Sequence, residues 1–146
     1  MIDLRVMRLD GGLELPVAAR PGDAGIDLRS RVDLVVPPAG GRALVPTGLA
    51  VEVPPGFAGL VLPRSGLALS HGVTVLNAPG LIDAGYRGEV SVILVNTDPV
   101  SEFDVERGDR VAQLVVVAVE AVRLEAVREL SASERGTGGF GHSGRS

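Results

Sequence analysis

The sequence predicts an all-β fold, a jelly-roll-like sandwich or barrel of short strands. Three observations predict it. Apolar residues alternate or run in short stretches roughly ten residues apart, Gly and Pro break nearly every gap, and only one or two segments look helical. In chain order, Ile2–Leu9, Ile26–Val36, Ala43–Val45, Leu49–Val53, Phe57–Leu62, Val73–Leu76, Glu89–Asn96 and Arg110–Val122 read as strands. The turns between them carry Pro37-Pro38-Ala39-Gly40-Gly41, Pro54-Pro55-Gly56, Ala78-Pro79-Gly80 and Arg107-Gly108-Asp109. The run Val115-Val116-Val117 suits a strand buried on both faces. Ser65–Ser70 has room for about one and a half helical turns. Val122–Leu130 has a helical look but continues a strand run.

The chain has 146 residues, the size of one domain. Residues 1–130 read as a single β domain. Residues 131–146, rich in Gly, Ser and Arg with Phe140 as the one large apolar residue, read as a flexible C-terminal tail. Apolar residues make up 45%, enough for a core, and charged residues 22%. The net charge of −4 gives no support to nucleic-acid binding by phosphate neutralisation. With no cysteine, thiolate catalysis and Cys-ligated zinc are excluded, and His71 and His142 are too few for a His-rich metal site. No apolar run reaches about 18 residues, so no membrane helix is expected. The N-terminal residues lack a signal-peptide layout, which makes the cytoplasm the expected compartment. All 14 basic residues are Arg. That usage fits GC-rich coding, and it also means that any phosphate grip is made by guanidinium forks.

Several segments could carry chemistry. Pro63-Arg64-Ser65-Gly66-Leu67-Ala68 ends a strand and starts a short helix, whose free N–H groups and dipole favour anions; Arg64 adds a fork for phosphate. The same residues also read as a plain N-cap at Ser65 beside a solvated Arg64. Asn77 to Glu89 reads as a hairpin with a Gly- and Pro-rich bend, whose backbone groups can read the edge of a flat heterocycle. Asp83 and Tyr86, the one tyrosine, lie near its tip. Asp27 interrupts a strand pattern, so it is paired, metal-associated or exposed. Gln113 follows the Arg107-Gly108-Asp109 turn and either donates to a ligand or sits at an edge. In Arg135–Gly144 half of the ten residues are glycine, a backbone that can wrap phosphate oxygens while Phe140 stacks on a base. It is not a P-loop, having no Lys. His71 reads as structural.

Together, the order and spacing of these segments closely resemble the homotrimeric dUTPase family (deoxyuridine 5′-triphosphate nucleotidohydrolase), its bacterial and actinobacterial members above all. The family's five motifs match Pro21–Ser30, Pro63–Ala68, Asn77–Asn96, Arg107–Gln113 and Arg135–Gly144. The resemblance implies a trimer with active sites shared between subunits. It implies hydrolysis of dUTP to dUMP and pyrophosphate with Mg2+, which keeps uracil out of DNA and supplies dUMP for thymidylate synthesis. It assigns the attacking water to Asp83 and the wall against deoxyribose to Tyr86. Uracil falls to Asn77 and the Leu81–Asp83 backbone, including Ile82. Phosphates fall to Arg64, Ser65, Gly66 and Gln113, and magnesium, through water, to Asp27. From the tail it assigns Arg135 and the glycine run with Gly139 to phosphate, and Phe140 to covering the base. His142 stands where the family's tail usually carries a hydroxyl, and Ser91 where some relatives carry a lysine. The alternatives are a dCTP deaminase-like enzyme of the same fold, or a catalytically inactive jelly-roll interaction module.

Overall fold

The computed structural model describes residues 2–17, 22–134 and 136–137. Among the described residues, ten strands and one short helix follow each other as β1 (Arg5–Arg8), β2 (Ile26–Arg29), β3 (Leu34–Val36), β4 (Gly41–Glu52), β5 (Phe57–Leu62), α1 (Ser65–His71), β6 (Val73–Val75), β7 (Gly80–Ile82), β8 (Glu89–Asn96), β9 (Phe103–Val105) and β10 (Arg110–Ala118). They form two four-stranded sheets, ordered β1-β4-β8-β6 and β2-β10-β5-β7, and a two-stranded sheet β3-β9. Every pairing is antiparallel. Leu28, Val45, Val51, Val61, Val92, Leu94, Val111 and Leu114 are buried in one cluster drawn from both large sheets. The alternation is clean in β8, where Val90, Val92 and Leu94 are buried between half-buried neighbours. This is the jelly-roll-like all-β fold that the alternation predicts.

Several element boundaries differ from the sequence reading. Ile26–Val36 is two strands in different sheets, broken where the buried Ser30 turns the chain and its hydroxyl bonds the Val32 carbonyl. Ala43–Val45 and Leu49–Glu52 of the next predicted strand belong to one long β4, whose register slips between Pro46 and Ala50. Gly48 sits in that slip at φ +72°, which a side chain would strain. β7 and β9, three residues each, are too short to show a period in sequence. Val115, Val116 and Val117 are each half-buried, so neither face of the strand is fully covered there. β10 stops at Ala118, and Val122–Leu130 is neither helix nor strand. Val122, Leu124 and Leu130 are 79%, 91% and 88% exposed, so no packing holds a helix there.

Candidate active site

The bend after β6 builds the first part of the site. β6 and β8 pair antiparallel, Val75 opposite Leu94, so the expected hairpin exists. Its bend is more than a turn: it carries β7, which leaves that sheet and pairs with β5 in the other one, Leu81 opposite Leu60. A cavity of about 180 Å³ opens between the sheets where the chain crosses. Val61, Val75, Ile82 and Val92 give it an apolar floor, and Asn77, Asp83, Tyr86 and Ser91 give it a polar rim. Asp83 and Tyr86 are brought together by a tight turn in which the Tyr86 N–H donates to the Asp83 carbonyl at 3.0 Å. Arg87 folds back and donates to the carbonyls of Ala84 (2.6 Å) and Tyr86 (2.8 Å), which cinches the same turn. The structure thus gathers Asn77, Leu81, Ile82, Asp83 and Tyr86 around one cavity.

The second part lies on the other side of the β2-β10-β5-β7 sheet. Asp27 on β2 is neither isolated nor simply exposed: it is paired. One carboxylate oxygen takes Arg64 Nε at 3.1 Å and the other takes Arg110 Nη1 at 3.2 Å. Arg64 also donates to the Arg110 carbonyl at 3.1 Å. Gln113 stands on β10 opposite both Asp27 and Leu62, and its amide donates to the Pro63 carbonyl at 2.9 Å. Three segments far apart in sequence therefore meet across three adjacent strands. Beside them a cavity of about 330 Å³ is lined by Gly25, Asp27, Leu62 and Gln113. Ser65 and Gly66 are the exposed first residues of α1. The N-cap is Arg64 in an extended conformation, with no side-chain cap, so the reading of Ser65 as the cap is corrected: Ser65 already has helical backbone.

Within one chain the two parts stay apart. β2 and β7 are the opposite edges of a four-stranded sheet, about 14 Å from one another at the usual strand spacing, and Arg64, which follows β5 beside β7, is carried by the antiparallel register to the end of that pair away from Asp83. Arg110, which sequence reasoning passed over, completes the Asp27 cluster. Its signal is faint, since the register that brings it to Asp27 contains a bulge between Arg110 and Ala112. Glu89 was passed over as well; it lines the first cavity beside Tyr86. Arg135, Gly139, Phe140 and His142 lie outside the described residues.

Comparison with known proteins decides what this layout belongs to. The dUTPase family model matches residues 12–144, a span containing every segment that builds the two cavities. The chain belongs to the dUTPase family. The deoxyuridine 5′-triphosphate nucleotidohydrolase of Mycobacterium marinum is 55% identical over 146 residues, covering 97% of this chain and 94% of that protein. The Thermobifida fusca protein of the same name is 53% identical, covering 98% and 79%. Among solved structures, a dUTPase of Staphylococcus bacteriophage 80alpha with dUpNHpp superposes with a TM-score of 0.91 at 30% identity, covering 99% of both chains. A mutant dUTPase from phage phi11 of S. aureus, described with a structural Mg(II) ion, gives 0.80 at 26% identity, covering 88% and 98%.

Proposed function

We infer that this dUTPase-family protein hydrolyses dUTP to dUMP and pyrophosphate by attack of water on the α-phosphorus. The observation that carries the reading is the first cavity. It brings an exposed carboxylate, Asp83, beside an apolar slot with an amide and a tyrosine at its rim, inside a chain matched over 133 of its residues by the family model. In this reading Asn77 and the backbone of Leu81 and Ile82 read the uracil edge. The Tyr86 ring stands under the deoxyribose, and Asp83 aligns the water and takes its proton. Arg64, Ser65, Gly66 and Gln113 hold the phosphates, joined by Arg135 and Gly139, and Phe140 stacks over the base.

Magnesium fits this donor set in one form. Among the described residues no three acidic or histidine side chains gather, so there is no cage for a bare cation. Mg2+ keeps its waters and binds through one or two carboxylates plus substrate phosphates. Asp27 offers one carboxylate whose two oxygens already accept from Arg64 and Arg110, so it leaves room only for a hydrated ion whose charge a triphosphate offsets. Asp27 would hold it through water, and the ion would neutralise phosphate charge.

The protein is proposed to work as a homotrimer whose sites are shared. The support is the separation of the two clusters, since a neighbouring copy can bring the Arg64 cluster to the Asp83 cavity. The tail, residues 131–146, is assigned to closing over the bound nucleotide. Among the described residues no helix is long and apolar enough to cross a membrane. The cytoplasm is proposed as the compartment because the substrate belongs to the nucleotide pool.

Incubation with each dNTP and UTP, with pyrophosphate and nucleoside monophosphate measured, tests the reading. Pyrophosphate with dUMP from dUTP alone is the expected result. Ammonia released from dCTP, or no turnover of dUTP by folded protein, would overturn it.

A further inference from the structure

A tyrosine that rejects a single extra hydroxyl by volume must be a wall that does not yield. Tyr86 is 45% exposed, so packing alone does not make it one. Its neighbours do. The Tyr86 hydroxyl donates to the Glu89 carbonyl at 2.9 Å, which ties the ring across the bend that bears it. The tie has room because residue 88 is glycine. A Cβ built on Gly88 would stand 2.7 Å from Tyr86 Cζ, and closer still to the hydroxyl oxygen. Gly88 has no positive φ, so the requirement there is one of space and not of backbone strain.

The acceptor end of the tie is also fixed. Glu89 is the first residue of β8, and its carboxylate accepts the Gly48 N–H at 2.7 Å and pairs with Arg31 at 3.1 Å. Arg31 is itself held, its N–H donating to the Pro46 carbonyl at 3.0 Å and its carbonyl accepting Arg107 Nη1 at 2.6 Å. The residue that grips Tyr86 is therefore anchored to the β4 slip and to the loop after β2.

We propose that Gly88 and Arg31, neither of which lines the cavity, are specificity-determining positions for the nucleotide's sugar, because they fix where the Tyr86 ring stands. Gly88 leaves the space into which the ring settles. Arg31 is a positioning residue that acts through Glu89. The inference rests on Tyr86 being the wall under the deoxyribose. An added hydroxyl is rejected here by a clash, and a clash discriminates only as far as the wall does not give way. Loosening the wall therefore lowers selectivity before it lowers binding of the correct sugar.

The test is kcat/KM for dUTP and for UTP in wild type, Gly88→Ala, Arg31→Ala and Arg31→Lys, with Tyr86→Ala as the fully opened reference. The dUTP-over-UTP ratio should fall about tenfold in Gly88→Ala, the order of one lost hydrogen bond. It should fall by less in Arg31→Ala and return most of the way in Arg31→Lys. A general loss of structure would lower both substrates together and leave the ratio unchanged. Folded Gly88→Ala with the wild-type ratio would overturn the proposal; should that variant fail to fold, an unchanged ratio in Arg31→Ala overturns it. Wild type that does not hydrolyse dUTP would instead sink the hydrolase reading. Wild type that hydrolyses dUTP and UTP alike would remove the Tyr86 wall, and this inference with it, while leaving the hydrolase in place.

Discussion

Asp27 on β2 and Arg64 at the N-cap of α1, 37 residues apart in sequence, meet at 3.1 Å, and Arg110 closes on the other carboxylate oxygen at 3.2 Å. One carboxylate thus orients two guanidiniums. The side chains of Asp27 and Arg64 are each about a quarter exposed, so the pair contributes about 1 kcal/mol or less to stability. Its larger effect is to aim Arg64, the cation at the start of α1.

Asp27→Asn keeps the shape and removes the charge. The expected outcome is a nearly unchanged melting temperature, a raised KM for dUTP, and a higher Mg2+ concentration for half-maximal activity. Activity titrated against Mg2+ checks this. A wild-type Mg2+ dependence would take the ion away from Asp27 and leave it the positioning of Arg64 and Arg110.

Asp83→Asn addresses the water. The amide is a poor acceptor for the water's proton, so kcat should fall by roughly two decades or more while dUTP still binds. Binding by calorimetry and turnover by pyrophosphate release separate the two effects. Turnover near wild type in the folded variant would remove Asp83 from the chemistry.

Much of this was legible in sequence, and what was not has physical reasons. The cavity cluster was legible because Asn77, Leu81, Ile82, Asp83 and Tyr86 lie within ten residues, and a local bend keeps them close. Phe57–Leu62 and Glu89–Asn96 were read to the residue, since Gly, Pro or Asp flank strong runs. β7 was hidden because its three residues follow Ala78-Pro79 inside a Gly- and Pro-rich bend that reads as a turn, and its partner β5 lies far back in the chain. Arg110 and Arg31 were hidden for a related reason. Each meets its carboxylate through tertiary register, which opposite charges alone do not specify. Gly88 looked like one more turn glycine, and only the position of the Tyr86 ring shows that its missing Cβ matters.

The Asp10–Arg107 pair gives a pH prediction. Arg107 reaches both Asp10 carboxylate oxygens, one at 2.9 Å, and with the Gly12 N–H lowers the carboxyl from 3.8 to about 2. A carboxyl depressed by folding stabilises the fold above its unfolded value, and loses that contribution as pH falls through its folded value. The window is therefore about pH 4 down to pH 2. Asp10→Asn should melt lower than wild type at neutral pH, with the difference shrinking across that window. Melting curves at stepped pH check it, and a constant difference down to pH 2 would contradict the linkage.

The separation of the two clusters gives the sharpest prediction. Asp83 follows β7 and Arg64 follows its neighbour β5, and the antiparallel register sends them to opposite ends of that strand pair, about 20 Å apart at the usual rise per residue, so the proposed shared site would take them from different chains. Arg64→Ala and Asp83→Asn homotrimers should each be nearly inactive, the first for want of a phosphate grip and the second for want of an aligned water. In mixed trimers, some sites join the Asp83 of an Arg64→Ala chain to the Arg64 of an Asp83→Asn chain. With random assembly from equal amounts, roughly a quarter of the sites are intact, because each of two independent places is filled correctly half the time. Activity should rise toward that fraction after denaturation and joint refolding, and not when preformed trimers are merely mixed. The two outcomes control for each other, since free exchange in the second sample would show as a slow rise. If trimers shown by mass to be mixed stay as inactive as their parents, each chain supplies both residues to its own site. One nucleotide would then have to span the two ends of the β5–β7 pair without help from a neighbour.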